Sequence, residues 1–593
     1  MLFSLLVGAS LFAAVPDSLE AATVVADRGL VISRTDTLRV SPSGDITSTL
    51  NLLPGLYVGD YGSLAGLKSV SLRGFGSAHT ALFIDGVRVK NIQSGQADLG
   101  MLDLASIGAV VADYAQNSLS FMTARPVFGD APVSGEVRLA YGSFGTWLPY
   151  GRLNGRLSDR WSLSASVGGT LTRGDFPLQD GTLRTNNDLK QLRTGVDLFG
   201  LLEEGDFHAK VYYNGADRGT PGSLSWPSAD RQQDRNVLGQ FLLRRHFGPV
   251  YTLHLSGKTA FDKLFYQSEW GDTDYRQTEF QLSSAHKFRV KPWWELSLAT
   301  DLSLAGLAST LYTENRLETV VAAASAFRFS RLKANLAVEY AGVFDSNGAA
   351  WNSVSPSADL RLTLAEGLDL VAFGRRAFRT PTFNELYYPG YGNPDLKPED
   401  AWLTDLGVDF QRKAGAWTPK LRVDGYYNWL ANKIVSAPTV ADPNIWLPFN
   451  VGKVQAFGAD VLAGTDYARG SWTASLAARY GFQKALDKTP DSYTFDQQIP
   501  YVARHTLSVD GRLGWNGWQL GTVWNLRSGR RDAAGEMPDW NALDVSLSKD
   551  FTLGGVGIGL FAQARNVLDC RYEIVSGYPV PGRNFMGGIR LSF

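Results

Sequence analysis

From Val133 to the C-terminus, apolar and polar side chains alternate with a period of two, in stretch after stretch. Val137, Leu139 and Tyr141 share one parity while Glu136 and Arg138 take the other. Trp161, Leu163, Ala165 and Val167 alternate with Ser162, Ser164 and Ser166. Leu507, Val509 and Leu513 alternate with Ser508, Asp510 and Arg512, and Leu543, Val545 and Leu547 with Asp544, Ser546 and Ser548. Successive side chains of a strand point to opposite faces, so each stretch predicts a strand with one apolar and one polar face. The last stretch puts Phe585, Gly587, Ile589, Leu591 and Phe593 on the apolar face and Arg590 and Ser592 on the other. Residues 41–132 read differently. Ile46, Leu50 and Leu53 have helical spacing before Pro54-Gly55. Val70 and Leu72 alternate with Ser69, Ser71 and Arg73, as in a half-buried strand. Leu82-Phe83-Ile84 runs into Asp85-Gly86, a tight-turn pair, and Val87 and Val89 continue beyond it, which predicts a hairpin. A compact α+β piece therefore precedes a very long strand array.

Composition turns that array into a membrane β-barrel. No Pro/Ser/Gly-rich linker divides residues 133–593, which favours one repetitive architecture over several domains. Charged residues are 19%, below the roughly 25% of globular chains. Aromatics are 12%, as suits outward apolar faces flanked by aromatic girdles. Each stretch is roughly a barrel strand long, ~9–11 residues, so the region holds many antiparallel strands. Closure removes the sheet edges that lipid would leave unpaired. A mean hydropathy of −0.12, with no long apolar run past residue 14, excludes helical spans, which need ~18–20 apolar residues. The net charge of −1 carries no basic footprint for nucleic acid. The single cysteine, Cys570, excludes an intrachain disulfide or Cys-cluster metal site. With six scattered His, no Gly-x-Ser-x-Gly elbow, no phosphate loop and no His-Glu-x-x-His, the chain does not read as an enzyme.

At the N-terminus, residues 1–14 are an apolar run of signal-peptide length without a basic flank, read as an export signal or else as a buried N-terminal segment. In the following segment, 15–40, Glu20 to Asp27 is a β-prone run with no partner nearby. It suits addition to another protein's sheet edge, or forms the first strand of the domain.

The series Leu53-Pro54-Gly55, Ser71-Leu72-Arg73-Gly74-Phe75 and Leu82-Phe83-Ile84-Asp85-Gly86-Val87-Arg88-Val89 resembles the plug of TonB-dependent receptors in order and spacing, and Gln93–Leu99 extends the match. The resemblance implies an N-terminal α+β plug, 41–132, inside a 22-stranded outer-membrane barrel, 133–593, of a Gram-negative bacterium. It makes Thr23, Val24, Val25 and Ala26 a TonB box, contacted by a periplasmic TonB-type energy-coupling protein. It places Arg73, Gly74, Asp85, Gly86 and Arg88 at the plug core and its seam with the barrel wall. Residues 107–125 depart from the family pattern, which predicts a shortened or reshaped last plug sheet. A C-terminal Phe on an alternating strand resembles the signal read by outer-membrane assembly machinery.

Phe378-Arg379-Thr380-Pro381 and Asn393-Pro394-Asp395-Leu396 resemble two barrel boxes of these receptors. Arg379, Pro381, Asn393 and Pro394 are expected to fix a hairpin rather than touch ligand. No His lies between the boxes, which disfavours haem. Arg565–Glu573 and Gly577-Tyr578-Pro579 to Phe585 resemble the closing hairpin of the cobalamin-transporter branch. The cargo this implies is cobalamin or another corrinoid, with a ferric siderophore as the alternative and outer-membrane lipid as the surroundings. A surface-exposed substrate-binding lipoprotein is a further partner such receptors often have. A non-transporting barrel, acting as adhesin or lipoprotein docking base, is the other reading that the altered 107–125 stretch keeps open. The resemblance brings calcium to the outer loops, where Asp175, Asp180, Asp188, Asp217, Asp230 and Asp234 are candidates; interleaved Arg173, Arg184, Arg218 and Arg231 make solvated loop charge the competing reading. No other cofactor is expected. Trp226, in an expected outer loop, could stack on a flat ligand or pack locally.

Overall fold

The computed structural model describes residues 35–39, 46–62, 64–438, 446–490, 492, 494–532 and 534–593. The signal-like segment 1–14 and the TonB-box residues Thr23–Ala26 lie outside the described residues. Residues 133–593 form a closed antiparallel barrel of 22 strands. Its first strand, β8 (Val133–Gly142), pairs with the last, Asn584–Ser592, from Met586↔Gly142 to Ser592↔Glu136, and that ladder closes the wall. The seven strands before β8 belong to the plug.

The period-two pattern sets which face is wet. Val137, Leu139 and Tyr141 are exposed on the lipid side, whereas Arg138 is buried towards the lumen. Phe585, Ile589, Leu591 and Phe593 are likewise exposed outward. Ser164, Asp197, His208, Lys258 and Glu279 point inward and are all buried, because the plug fills the lumen. At the end with short turns, Phe247 and Tyr251 stack at 5.3 Å, Tyr251 and Phe288 at 5.0 Å, and Trp293 and Phe329 at 5.6 Å. These rings form part of an aromatic girdle. The other end carries the long connections 173–188, 380–398, 488–504 and 566–583.

The plug comprises β1 (Thr35–Arg39), α1 (Ile46–Leu50), β2 (Leu56–Asp60), β3 (Lys68–Leu72), β4 (Ala81–Ile84), β5 (Val87–Val89), β6 (Ile107–Asp113) and β7 (Ser118–Thr123). β2 and β3 form one hairpin, and the rest a mixed sheet ordered β1-β6-β7-β4-β5, with β4 and β7 parallel. Asp85 (φ 50°) and Gly86 (φ 85°) make the left-handed pair that a type I′ hairpin between β4 and β5 requires. Where a shortened or reshaped last sheet is expected, two strands of seven and six residues stand, with a register shift between Ile107 and Ala109. β6 and β7 pair from Ile107↔Thr123 to Asp113↔Ser118, and Val110, Ala112, Leu119 and Phe121 are almost fully buried. What the sheet needs at 107–123 is apolar inward positions, which the divergent sequence supplies.

The seam between plug and barrel

Side chains of opposite charge meet across the plug wall, and the plug contributes them from its turns. Arg73 has φ 48° and Gly74 φ 79°, a left-handed turn after β3 that aims the guanidinium at the barrel. A Cβ on Gly74 would stand 2.7 Å from Gln483 Nε2 and 3.1 Å from Ala485 Cβ, so the close approach to the wall requires glycine. Arg73 Nη2 pairs with Asp405 Oδ2 at 2.8 Å and donates to Asp460 Oδ2 at 3.3 Å. Its guanidinium carbon lies 4.7 Å from the Tyr114 ring centre and 4.2 Å from that of Tyr426, one ring from each side of the seam. Burial works against this cation, but Asp405 and Asp460 outweigh it and hold the Arg73 pKa above its ordinary value. Tyr114 in turn donates to Asp36 Oδ2 of β1 at 3.1 Å, and Asp36 pairs with Arg422 of the wall. One polar chain therefore runs from the plug's N-terminal edge strand to its most buried cation.

The second cluster surrounds Asp85. Thr123 donates to it twice at 2.6 Å, from its backbone N–H and its hydroxyl, and Lys210 Nζ of the wall lies 3.0 Å away. Lys210 also reaches Asp197 at 3.5 Å, which His208 contacts at 2.8 Å. Burial alone would raise the Asp85 carboxyl; Lys210, His208 and the Thr123 bonds prevail and hold it at about 2. Arg88, expected in this seam, is exposed; its carbonyl accepts from Lys258 Nζ at 2.6 Å, and its charge acts on the Glu318 carboxylate of the wall. Two residues on, Lys90 makes the ion pair, with Glu318 at 2.6 Å.

The two barrel boxes form one structure. Arg379 donates to both oxygens of Glu399 at 2.8 and 2.7 Å and to Glu385 at 3.0 Å. Glu399 also contacts His79 of the plug. Thr382 and Glu385 close a capping box on α2 (Phe383–Tyr387). Pro381 offers its carbonyl to Arg316 at 2.8 Å, Asn393 bonds Glu385 and Pro448 main-chain oxygens at 2.8 and 2.9 Å, and Pro394 is exposed. The boxes lie on and beside the connection between the paired strands Leu368–Arg379 and Glu399–Gln411, and the same connection also reaches the plug. The Phe383 and Asn384 N–H groups donate to Ile92 and Gln93 of the plug at 3.1 and 3.0 Å, so this loop grips a plug apex.

A second apex lies under loop 566–583. Ile574, Val575 and Val580 pack with Tyr57, Tyr61, Tyr501, Tyr572 and Tyr578, and the Tyr61 and Tyr578 rings meet edge to face at 5.0 Å. These tyrosines come from the plug and from the two connections 488–504 and 566–583, so no local motif could have signalled them.

Of the acidic candidates expected in outer loops, Asp175, Asp180 and Asp188 lie in connection 173–188, whereas Asp217 stands on the strand Gly205–Gly222 and Asp230 and Asp234 on the strand Pro227–Phe247. Arg231 holds both Asp188 and Asp217, at 2.9 and 2.8 Å. Asp175 faces Arg173, Asp180 accepts from Thr182, Asp230 from Tyr266, and Asp234 from Gln232. Among the described residues no three His, Cys, Asp or Glu side chains come together as a metal-sized group. Trp226 stands 72% exposed at its loop tip.

Family models match this arrangement in both parts: the TonB-dependent receptor plug domain over residues 29–121, and the TonB-dependent receptor-like β-barrel over 134–567. The chain belongs to the TonB-dependent receptors. A vitamin B12 transporter, BtuB of Vibrio vulnificus, is 23% identical over 94% of this chain and 90% of its own length. BtuB of Photobacterium profundum is 24% identical over 81% of this chain and 78% of its own. Among solved structures, the copper transporter OprC superposes with a TM-score of 0.77 at 14% identity, covering 94% of this chain and 98% of that one. The FrpB iron transporter of Neisseria meningitidis (F3-3 variant) gives 0.76 at 13%, covering 95% and 99%. These receptors are transporters of the Gram-negative outer membrane, not enzymes, and they draw on TonB.

Proposed function

We propose that this receptor imports cobalamin or another corrinoid. The observation that carries this reading is a similarity to vitamin B12 transporters that runs through plug and barrel alike, over 94% of the chain for one of them. The mouth supports it. Tyrosines of loop 566–583 and of the plug apex form an aromatic, hydroxyl-bearing floor suited to a large ligand with both apolar and amide surface.

In this reading the plug is the gate and β1 its handle. Among the described residues β1 stands at the edge of its sheet, paired with β6, and in the chain it comes after the segment a TonB-type protein would pull. Peeling β1 removes Asp36 from Arg422 and Tyr114, which exposes the Arg73 cluster to water. Ion pairs that are strong when dry become weak when wet, so a small displacement loosens the whole seam.

Equilibrium binding to the purified receptor tests the cargo. Cyanocobalamin should bind saturably and be displaced by unlabelled corrinoid, but not by ferric catecholate, hydroxamate or citrate. Tight binding of a ferric chelate with none of cyanocobalamin contradicts the proposal.

A further inference from the structure

On the lipid-facing wall, three neighbouring strands, Pro227–Phe247, Tyr251–Gln267 and Thr273–Lys291, carry a row of cations. The registers Arg235↔Lys263 and Lys263↔Arg276 set the three side by side. All three are exposed, the Lys263 and Arg276 side chains by 48% and 68%. One step towards the turn end, the same parity presents Val237, Phe261 and Thr278, and the next step Phe280. Phe261, Phe280 and Val237 are exposed apolar groups of the outer band.

The height of the row follows from strand geometry. Tyr251 belongs to the girdle at the turn end. From there to Lys263 the strand advances about 40 Å, or about 30 Å along the membrane normal at a tilt of ~40°. A hydrocarbon layer is about 25–30 Å thick, so the row stands at the headgroups on the loop side. In an outer-membrane receptor that is the outer leaflet.

The protein supplies less negative charge than the row carries. Asp274 alone serves two of the cations, Lys263 at 3.2 Å and Arg276 at 3.3 Å. Arg235 donates to carbonyl oxygens, of Ala216 at 2.9 Å and Asp234 at 2.7 Å, and shares the Asp234 carboxylate with Arg218 of the lumen side, whose Nε lies 3.5 Å from that carboxylate. Like charges directly opposite one another across strands repel. Elsewhere at the loop end the pattern differs: Arg376 has Asp400 to itself at 2.8 and 2.9 Å, and Arg173 has Asp175 at 3.3 Å. Adjacent strands lie about 4.8 Å apart, so the three cations fall within about 10 Å, a span that one or two phosphate groups bridge.

We propose that Arg235, Lys263 and Arg276 form a binding site for the phosphate headgroup of an anionic outer-leaflet lipid, with its acyl chains along Val237, Phe261 and Phe280. The row faces the bilayer rather than the lumen, and it continues the apolar band, so a lipid is the ligand that meets both surfaces at once.

Delipidated receptor, reconstituted into neutral nanodiscs carrying either a bis-phosphorylated glucosamine lipid or its dephosphorylated counterpart, gives the test by native mass spectrometry. Wild-type protein should retain the phosphorylated lipid selectively. The R235Q/K263Q/R276Q variant should lose that selectivity, with affinity falling on the order of a hundredfold if each cation contributes as basic residues do near anionic membranes. Arg376→Gln, at a neutralised site on the same wall, should bind as wild type and controls for general charge. Equal retention by the triple variant, or no preference of the wild type for phosphate, overturns the proposal. Cyanocobalamin binding by the triple variant reports whether the barrel is intact.

Discussion

Arg73→Met unseats the plug. The substitution keeps side-chain length but leaves Asp405 and Asp460, both buried in the wall, without their cation. Breaking a buried ion pair by removing one partner costs about 3–5 kcal/mol, because the remaining charge stays desolvated. The loss falls on the seam rather than on the barrel ladders. Amide exchange should therefore accelerate in β2 and β3 by two orders of magnitude or more, about 1.4 kcal/mol corresponding to each tenfold step, while the barrel strands stay protected. Arg73→Lys should lie between, since a point charge can meet one carboxylate but cannot also stack between Tyr114 and Tyr426. Exchange in β2 and β3 that matches wild type would show that the cluster does not hold the plug.

Asp85→Asn weakens the opposite side of the plug and does so with a pH signature. The Asp85 carboxyl titrates at about 2 in the folded protein against 3.8 ordinarily, so its folded pKa is depressed. The stabilisation it supplies, roughly 2 kcal/mol by linkage, is complete above the ordinary carboxyl range and fades as pH falls from about 4 towards 2. Lys210 keeps Asp197 as a partner in the variant, which limits the damage to the lower end of the buried-pair range. Protection of β4 and β7 should fall in wild type as pH drops through that window. In Asp85→Asn it should start lower and vary less. A variant with the wild-type pH profile would remove Asp85 from the seam's electrostatics.

The barrel was legible because its physics is local: a strand between lipid and a wet lumen must alternate, and Val137, Leu139 and Tyr141 declare their face within a few residues. The Asp85-Gly86 turn was legible for the same reason, since a two-residue hairpin demands positive φ. The seam was legible only by half. Arg73 stands out in the plug, but its partner Asp460 lies 387 residues away and looks like any luminal carboxylate. Arg88 is exposed while Lys90 makes the ion pair with Glu318, and β5, three residues long, is too short for its pattern to show which side chain reaches the wall. Residues 107–125 depart from the family residues yet pair as β6 and β7, because those strands require only buried apolar positions and free backbone pairing. The tyrosine floor and the lipid-facing cation row depend on register between strands, which a single sequence does not contain.

Gating by a pulled plug makes binding and import separable. Deleting residues 20–26 from the full receptor, in cells limited for cobalamin, and following labelled cyanocobalamin at the surface and inside the cell, should leave surface binding at the wild-type level and abolish uptake. Uptake that persists after the deletion would contradict energy-coupled gating through the N-terminal segment.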